Sequence, residues 1–559
     1  MMKGIWYKGI GHKEGRYKVK YLYLIPYTLY LLSFFLINAS LTYCQDKSNP
    51  NVELPDFIIT GTDVIAVQGA QKISPEFVPT ISEQFFKPVL SPEELEVRDL
   101  SSPLKNDLSI LDSLTFLRGN LEFGAGIYSL PVAHLSYLFP VDGFILGGRF
   151  SGENHRAYID NSEKYLINGG LNLQYTTDHT SNVLPGTQFN LNGNFGSASF
   201  KFYAVNNPPK RTLNQGNFSF GISNQLNRQF NFDLSINDDL SSIGEEKYNE
   251  NILNLRGFSR VNFSLFNINA SVEYKKQFLS IDNTPANIPN SDVDDFFMVR
   301  PTGGLNISDA VKVSGGITYS TSGGNSHTAP FAAISFKINS SISLFGEYSP
   351  HAEFLTSNDL LKTNRYYEPQ NFYNLFYRKR EAFIAAAKFE YDKYYQVNAG
   401  IKYFSSPEYP YFVDSVSTGK FMLSSIQAND FTIFADLFFH LGPFGIMYGD
   451  FEFVNTKVKS TDFVPYHPQI KASALYGYEF DFGLTTQIGL TYVSKSYTDL
   501  PNRKSIPGYF DLGLKFLYKI VPEFFFTVEL SNLLDDDIYY WRGYKEAPLD
   551  VIAGFKYMW

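Results

Sequence analysis

The side chains that could do chemistry are few and dispersed. The 8 histidines form no His-Glu-x-x-His pair and join no cysteine, so the ligand spacing of a zinc site is missing. No Gly-x-Ser-x-Gly elbow presents a nucleophile. Gly147-Gly148-Arg149-Phe150-Ser151-Gly152 is glycine-rich, but it lacks the Gly-Lys-Ser/Thr of a phosphate loop and falls on or just after a strand pattern. Asp282, Asp292, Asp294 and Asp295 crowd one connection. They read as calcium ligands or as a solvated acidic loop, and their spacing fits no known calcium loop. What remains is aromatic: Tyr366, Tyr367, Phe372, Tyr373, Phe376 and Tyr377 lie within one connection. Such rings either grip a ligand or pack among neighbouring loops, and both readings stand. The chain therefore reads as a non-enzyme with no catalytic residue, metal ligand or cofactor.

The elements that would position those rings are strands. In the last stretch Phe510, Leu512, Leu514, Phe516 and Tyr518 share one face, and Asp511, Gly513 and Lys515 the other. Phe524, Phe526, Val528 and Leu530 repeat the pattern, as do Val551, Ala553, Phe555, Tyr557 and Trp559. Strict period two means strands with one apolar face. Aromatic residues are 17% and charged residues only 18% of the 559, yet mean hydropathy is −0.17. Together these values favour strands with one side in lipid over uniformly apolar helices. The net charge of −9, with no basic block in the body of the chain, argues against nucleic acid as a partner.

Connections alternate in length. Short ones fall at Asn224–Asn227, Asn339–Ser341, Asp392–Tyr394, His440–Pro443, Asp481–Gly483 and Lys519–Glu523. Long ones fall between them, at Ser280–Asp295, Pro350–Arg380, Ser405–Asp430 and Leu534–Pro548. Outer-membrane barrels have short periplasmic turns and long external loops. The expected fold is thus all-β: a transmembrane antiparallel β-barrel of about 22 strands, about 17 of them from Asn217 onward. The less regular early strands would allow about 20 or fewer. The C-terminus is expected in the periplasm of a Gram-negative cell.

The N-terminus reads differently. Lys3, Lys8, Lys13, Arg16, Lys18 and Lys20 precede an apolar run from Tyr21 to Ala39, the plan of a secretory signal cleaved after Cys44. Lipidation at Cys44 is the rival reading, weakened by the bulky Tyr43 before it. Residues 45–115 form a short periplasmic or lumenal segment, and 116–559 the barrel.

Three passages resemble the TonB-dependent receptors. Asp56-Phe57-Ile58-Ile59-Thr60-Gly61, within Leu54–Thr62, resembles the segment with which those receptors add a strand to their energy-coupling protein. A stray strand in a linker is the alternative. Tyr348-Ser349-Pro350, Leu360-Leu361, Asn364, Tyr367-Glu368-Pro369 and Glu381 resemble a mid-barrel passage of the family, with Arg365 in place of its first proline. Asn532-Leu533-Leu534-Asp535, Tyr540 and Gly543-Tyr544 resemble its last loop. The ending Gly554, Phe555, Tyr557 and Trp559 resembles the signal read by the barrel-assembly machinery, with Ile552 departing from its usual polar position. The resemblance implies import of a solute across the outer membrane. Its implied partners are membrane lipid, a TonB-type coupling protein and a surface lipoprotein. No plug domain is recognisable in the segment before the barrel. A passive channel and a non-transport anchor or adhesin are the alternatives.

Overall fold

A computed structural model describes residues 119–559, apart from short stretches at 142–143, 178–184, 225–228, 264, 282–290, 309, 370–373, 392–393, 415–418 and 459–461. The secretory signal, the passage Leu54–Thr62, and Phe372 and Tyr373 lie outside the described residues.

The alternation seen in the sequence becomes one antiparallel sheet. Leu171, Phe195, Phe218, Leu234, Ile268 and Ile317 are all exposed on its outer side. Their chain neighbours Asn172, Asn194, Asn217 and Asp233 point to the other side. Side chains alternate across a strand, so one face meets lipid and the other lines a lumen. The main sheet has 23 hydrogen-bonded strands. Two of them, Ile342–Tyr348 and His351–Thr356, pair in succession along the same neighbour, Asn374–Tyr391. They are one stave interrupted at Ser349–Pro350, where proline has no N–H to give the ladder. The barrel therefore has 22 strands. Five precede Lys210 and 17 follow it, as the alternation predicts. Among the described residues no helix is long and apolar enough to cross a membrane.

The last strand, Asp550–Met558, closes the sheet by pairing with both Phe524–Ser531 and the first strand, Gly119–Gly126. Phe123 lies opposite Phe555, and Gly124 opposite Gly554. Gly119 and Trp559 exchange both backbone hydrogen bonds, at 2.9 and 3.0 Å. The Trp559 ring stacks on Tyr557 and on Tyr137. A Cβ at position 119 would sit 2.2 Å from that ring, so glycine is required there by space alone. Phe555, Tyr557 and Trp559 are exposed on the outer face while Lys556 and Met558 are buried.

The alternating connections hold, but two of the expected long loops are largely paired structure. Ser405–Asp430 lies mostly within Tyr395–Asp414 and Phe421–His440, strands of 20 residues each. A stave of ~9–11 residues suffices to span a membrane, so this hairpin continues well past the apolar band. A bulge between Ser406 and Tyr409 breaks its alternation. Pro350–Arg380 likewise holds the strand His351–Thr356, a short helix Ser357–Thr363 and the start of Asn374–Tyr391. Two connections at the expected long end are minimal: residues 127–128, after the first strand, and Gly323 and Gly324, with φ of 53° and 82°, which make the tight turn that follows Val311–Ser322.

The seam generates a prediction. Gly119→Leu should overpack Trp559, at a cost of roughly 1–3 kcal/mol, and deplete the heat-modifiable folded form on gels. Deleting Tyr557–Trp559 should deplete it further. Combining Gly119→Leu with Trp559→Phe, which keeps an aromatic terminus but removes the six-membered ring edge that the Cβ meets, should restore part of the loss, and failure to do so would show that the ring is not what the leucine meets.

Candidate functional site

The interrupted stave produces the site. After His351–Thr356 the chain leaves the wall through a capping box: Thr356 Oγ1 accepts from Asp359 N, and the Asp359 carboxylate accepts from Thr356 N at 3.0 Å. This fixes the helix Ser357–Thr363 and buries Leu360 and Leu361. Asn364 ends the helix. Its side chain accepts from Tyr366 N at 2.9 Å, and its carbonyl accepts from Tyr367 N at 3.0 Å. The turn throws Tyr366 and Tyr367 into separate niches.

Tyr366 stacks on Tyr544 from the last long connection, centroids 3.5 Å apart and planes 14° apart. Phe200 and Phe202 meet it edge-on at 5.5 and 5.7 Å. Tyr367 is fully buried and meets Phe412 at 5.9 Å. The backbone here adds a short parallel rung to the hairpin of 20-residue strands: Phe421 N donates to Tyr366 O, and Glu368 N donates to Phe421 O at 2.8 Å. Lys420 and Glu368 pair at 2.6 Å beside it. Trp541 packs against Phe412, Phe421 and Tyr466. Asp414 receives Arg542 at 2.6 Å and the Tyr466 hydroxyl at 2.9 Å. Tyr158 and Tyr203 both donate to the Lys545 carbonyl, at 2.6 and 2.8 Å. Burial raises the phenols of Tyr203, Tyr366 and Tyr544 well above the ordinary tyrosine value, so they remain neutral.

One cation joins the loop to another stave. Arg211, at the start of Lys210–Asn224, is 1% exposed. Its Nη1 donates to the carbonyls of Arg365 and Tyr367 at 2.7 and 2.8 Å, and its Nε to Glu246 at 2.8 Å. The guanidinium lies 4.5 Å over the Phe202 ring. Gln215 reaches Asn358 at 3.0 Å, and Lys362 reaches Asp239 at 3.3 Å. A loop that leaves one stave is thus pinned to strands more than 100 residues earlier. Connections from many points on the rim converge with it in one aromatic cluster. They form a cover at the long-connection end of the barrel.

The six aromatic candidates separate. Tyr366 and Tyr367 sit in the cover. Phe376 and Tyr377 lie on the wall strand Asn374–Tyr391, where Tyr377 joins a second cluster with Phe404 and Tyr409. There His467 Nδ1 lies 2.8 Å from Pro465 O, and its Nε2 lies 3.0 Å from the Tyr409 hydroxyl. Burial lowers the His467 pKa, so the ring stays neutral, donates to Pro465 and accepts from Tyr409. Gly147–Gly152 lies on the strand Phe144–His155. Asp294 accepts from Asn374 Nδ2 at 2.8 Å. Sequence reasoning missed Arg211, Phe200, Phe202 and Trp541. Their positions at strand ends on the long-connection side are the one signal that could have marked them.

No family model and no curated protein matches this chain. Solved structures do. The FrpB iron transporter from Neisseria meningitidis is 10% identical with a TM-score of 0.61, covering 81% of this chain and 83% of that one. The siderophore receptor PiuA from Acinetobacter baumannii is 12% identical with a TM-score of 0.55, over 79% and 82%. The copper transporter OprC is 10% identical with a TM-score of 0.57, over 79% and 81%. These likenesses establish a shared fold, the 22-strand barrel, and the proteins that carry it are described as transporters and receptors rather than enzymes.

Arg211→Ala should free the cover. It strands the Glu246 carboxylate and two carbonyls, a loss on the order of 3 kcal/mol for a broken buried charged network. The expected outcome is protease cleavage near Arg365 in folded protein, with the barrel itself still heat-modifiable. Wild-type protease resistance at that site would show that Arg211 does not hold the loop.

Proposed function

We propose that this chain is an outer-membrane transport barrel of the TonB-dependent receptor type that imports a solute. One observation carries the reading: a closed 22-strand sheet with an apolar outer face has one mouth spanned by its own connections, pinned by a buried arginine. Barrels of that strand number are wide, and those that transport are plugged. A cover built from external loops suits an entry that opens for a ligand, and it argues against a freely conducting channel. The likeness to iron, siderophore and copper transport proteins supports transport without naming the cargo. Of the ligand-contacting candidates, Tyr366 and Tyr367 are buried within the closed cover, so they would meet a ligand only once it opens.

In this reading the short turns and Trp559 face the periplasm, and the cover faces outward. Asp56–Gly61 adds a strand to an energy-coupling protein, and residues 63–114 fill the lumen behind the cover. Gly554, Phe555, Tyr557 and Trp559 are read by the assembly machinery. A surface lipoprotein would meet the cover from outside.

Two measurements test this. In a Cys44→Ser background, Arg503→Cys should label with a membrane-impermeant maleimide on intact cells and Asp481→Cys should not; the reverse pattern would invert the topology. Deleting residues 63–114 should raise single-channel conductance and sensitivity to large antibiotics, whereas deleting only 54–62 should leave the pore closed. If neither deletion changes anything, the anchoring role replaces transport.

A further inference from the structure

One wall strand has an open edge above the membrane. Asn325–Lys337 pairs with Val311–Ser322 from Asn325 to Phe336, but with Ile342–Tyr348 only from Ala332 to Lys337. Lys337 N donates to Ala310 O, and Ile338 N to Ile342 O. Odd positions therefore bond the strand before and even positions the strand after. Above Ala332 the even positions are Ser326, Thr328 and Pro330, and among the described residues no strand pairs with them on that side. Ser326 and Thr328 are exposed on the outer face. This edge thus stands in water beyond the apolar band, where it can stay open.

The stave that would cover it leans away. Continuing the register in which Ala332 faces Tyr348 sets Pro330 opposite Pro350, Thr328 opposite Ala352 and Ser326 opposite Phe354. The proline rung falls on a hydrogen-bonded pair, and neither residue has an N–H to give, so the ladder stops there. Beyond it His351–Thr356 crosses to the inside. Phe354 stacks on Phe296, two staves past the open edge, with centroids 6.0 Å and planes 13° apart. The next strand breaks at the same height. The pairing of Asn374–Tyr391 with Tyr395–Asp414 slips between Arg380 and Phe383 and ends at Arg380, and Glu381 there has a φ of 50°. His351–Thr356 and the first residues of Asn374–Tyr391 form a two-stranded arm, outside the ladders of the staves on both flanks and jointed at Pro350 and Glu381. The arm carries the helix Ser357–Thr363, so the cover moves with it.

We infer that this arm has two seats: the inward one, and an upright one in which His351–Thr356 completes its stave by pairing with residues 325–331. This rests on the transport reading above in taking the cover to be one that opens. The upright seat gives up the Phe354–Phe296 stack and the bonds from Asn374 to Gln277 and Asp294, both 2.8 Å. It gains about four backbone bonds, two at each of the rungs Thr328–Ala352 and Ser326–Phe354. It also sets His327 opposite Glu353 in a non-hydrogen-bonded pair, where side chains approach most closely. In the inward seat His327 Nε2 is buried without a hydrogen-bond partner, and Glu353 meets His351 and Lys379. A second copy of the chain does not fit the edge. A two-fold axis along the membrane normal keeps both copies of a strand running the same way, whereas this ladder is antiparallel.

The test is a disulfide in the full chain, in a Cys44→Ser background. Asn325→Cys with Leu355→Cys sets the thiols opposite each other in the upright seat, within disulfide reach. In the inward seat Leu355 packs instead against the cluster of Tyr377 and Phe404. Oxidised with copper phenanthroline in outer membranes, this pair should cross-link, and adding Arg211→Ala should raise the yield about fivefold. Pro330→Ala with Pro350→Ala restores two N–H groups to the broken rung and should raise the yield about fivefold with Arg211 intact. Asn325→Cys with Glu353→Cys, out of register, should trail by at least about fivefold. His327→Cys with Glu353→Cys is a second in-register pair should the first not fold. Folded Arg211→Ala protein that is cleaved near Arg365 yet forms neither in-register disulfide would overturn the upright seat, as would equal yields in and out of register. The read-out needs no solute, so either failure leaves the transport reading standing. That reading fails separately, by the deletions of 63–114 and 54–62, which do not touch the arm.

Discussion

Every backbone N–H and C=O at membrane depth must find a partner within the protein, because lipid offers none. The pairing of Gly119–Gly126 with Asp550–Met558 is where this chain meets that requirement. Without it the sheet would expose two open edges, one of them ending in Phe555, Tyr557 and Trp559. The closure also explains the small residues at the seam. Gly119 leaves space for the Trp559 ring, and Gly124 meets Gly554 across the join. Ends separated by the whole barrel thus become neighbours, and all other features hang on a ring fixed there.

Closing so many strands creates a second problem, a wide bore. The solution visible here comes from the staves themselves. One stave stops at Ser349–Pro350, resumes, and sends out a capped helix. The tall hairpin Tyr395–Asp414 and Phe421–His440 rises to meet it and lends it backbone hydrogen bonds. The cover's centre is apolar, so it is held by stacking and burial. Its register is set by a few polar pins, among them the fully buried Arg211. Such an assembly is stable when intact and has few independent attachments to release.

Much of the barrel was legible in the chain. Period-two alternation through Phe230, Phe232, Leu234 and Ile236 assigns the faces, and the alternation of connection lengths fixes the phase. The strand total follows from both. The tall hairpin was not legible, because Ser405, Ser406, Pro407 and Glu408 interrupt the alternation at a bulge and read as loop. Pro350 read as the end of a strand that in fact resumes one residue later. The cover was harder still. Arg211 beside Lys210 looks like part of a solvated strand start, and the carbonyls it serves lie 154 and 156 residues away. Long-range partners of a single side chain leave no local pattern. Of the aromatic candidates, Tyr366 and Tyr367 belong to the cover, whereas Tyr377 lies in the wall, since the strand begins earlier than the apolar alternation shows.

The central claim is that the barrel's own loop spans its mouth. The direct measurement is a thiol cross-link in native outer membranes between Gln215→Cys on the wall and Asn358→Cys on the loop helix, in a Cys44→Ser background. Their side chains are 3.0 Å apart across the mouth. With a short bismaleimide, the account predicts near-complete intramolecular cross-linking, read as a mobility shift of the heat-denatured protein. Folded protein that labels at both cysteines yet yields no cross-link would contradict it.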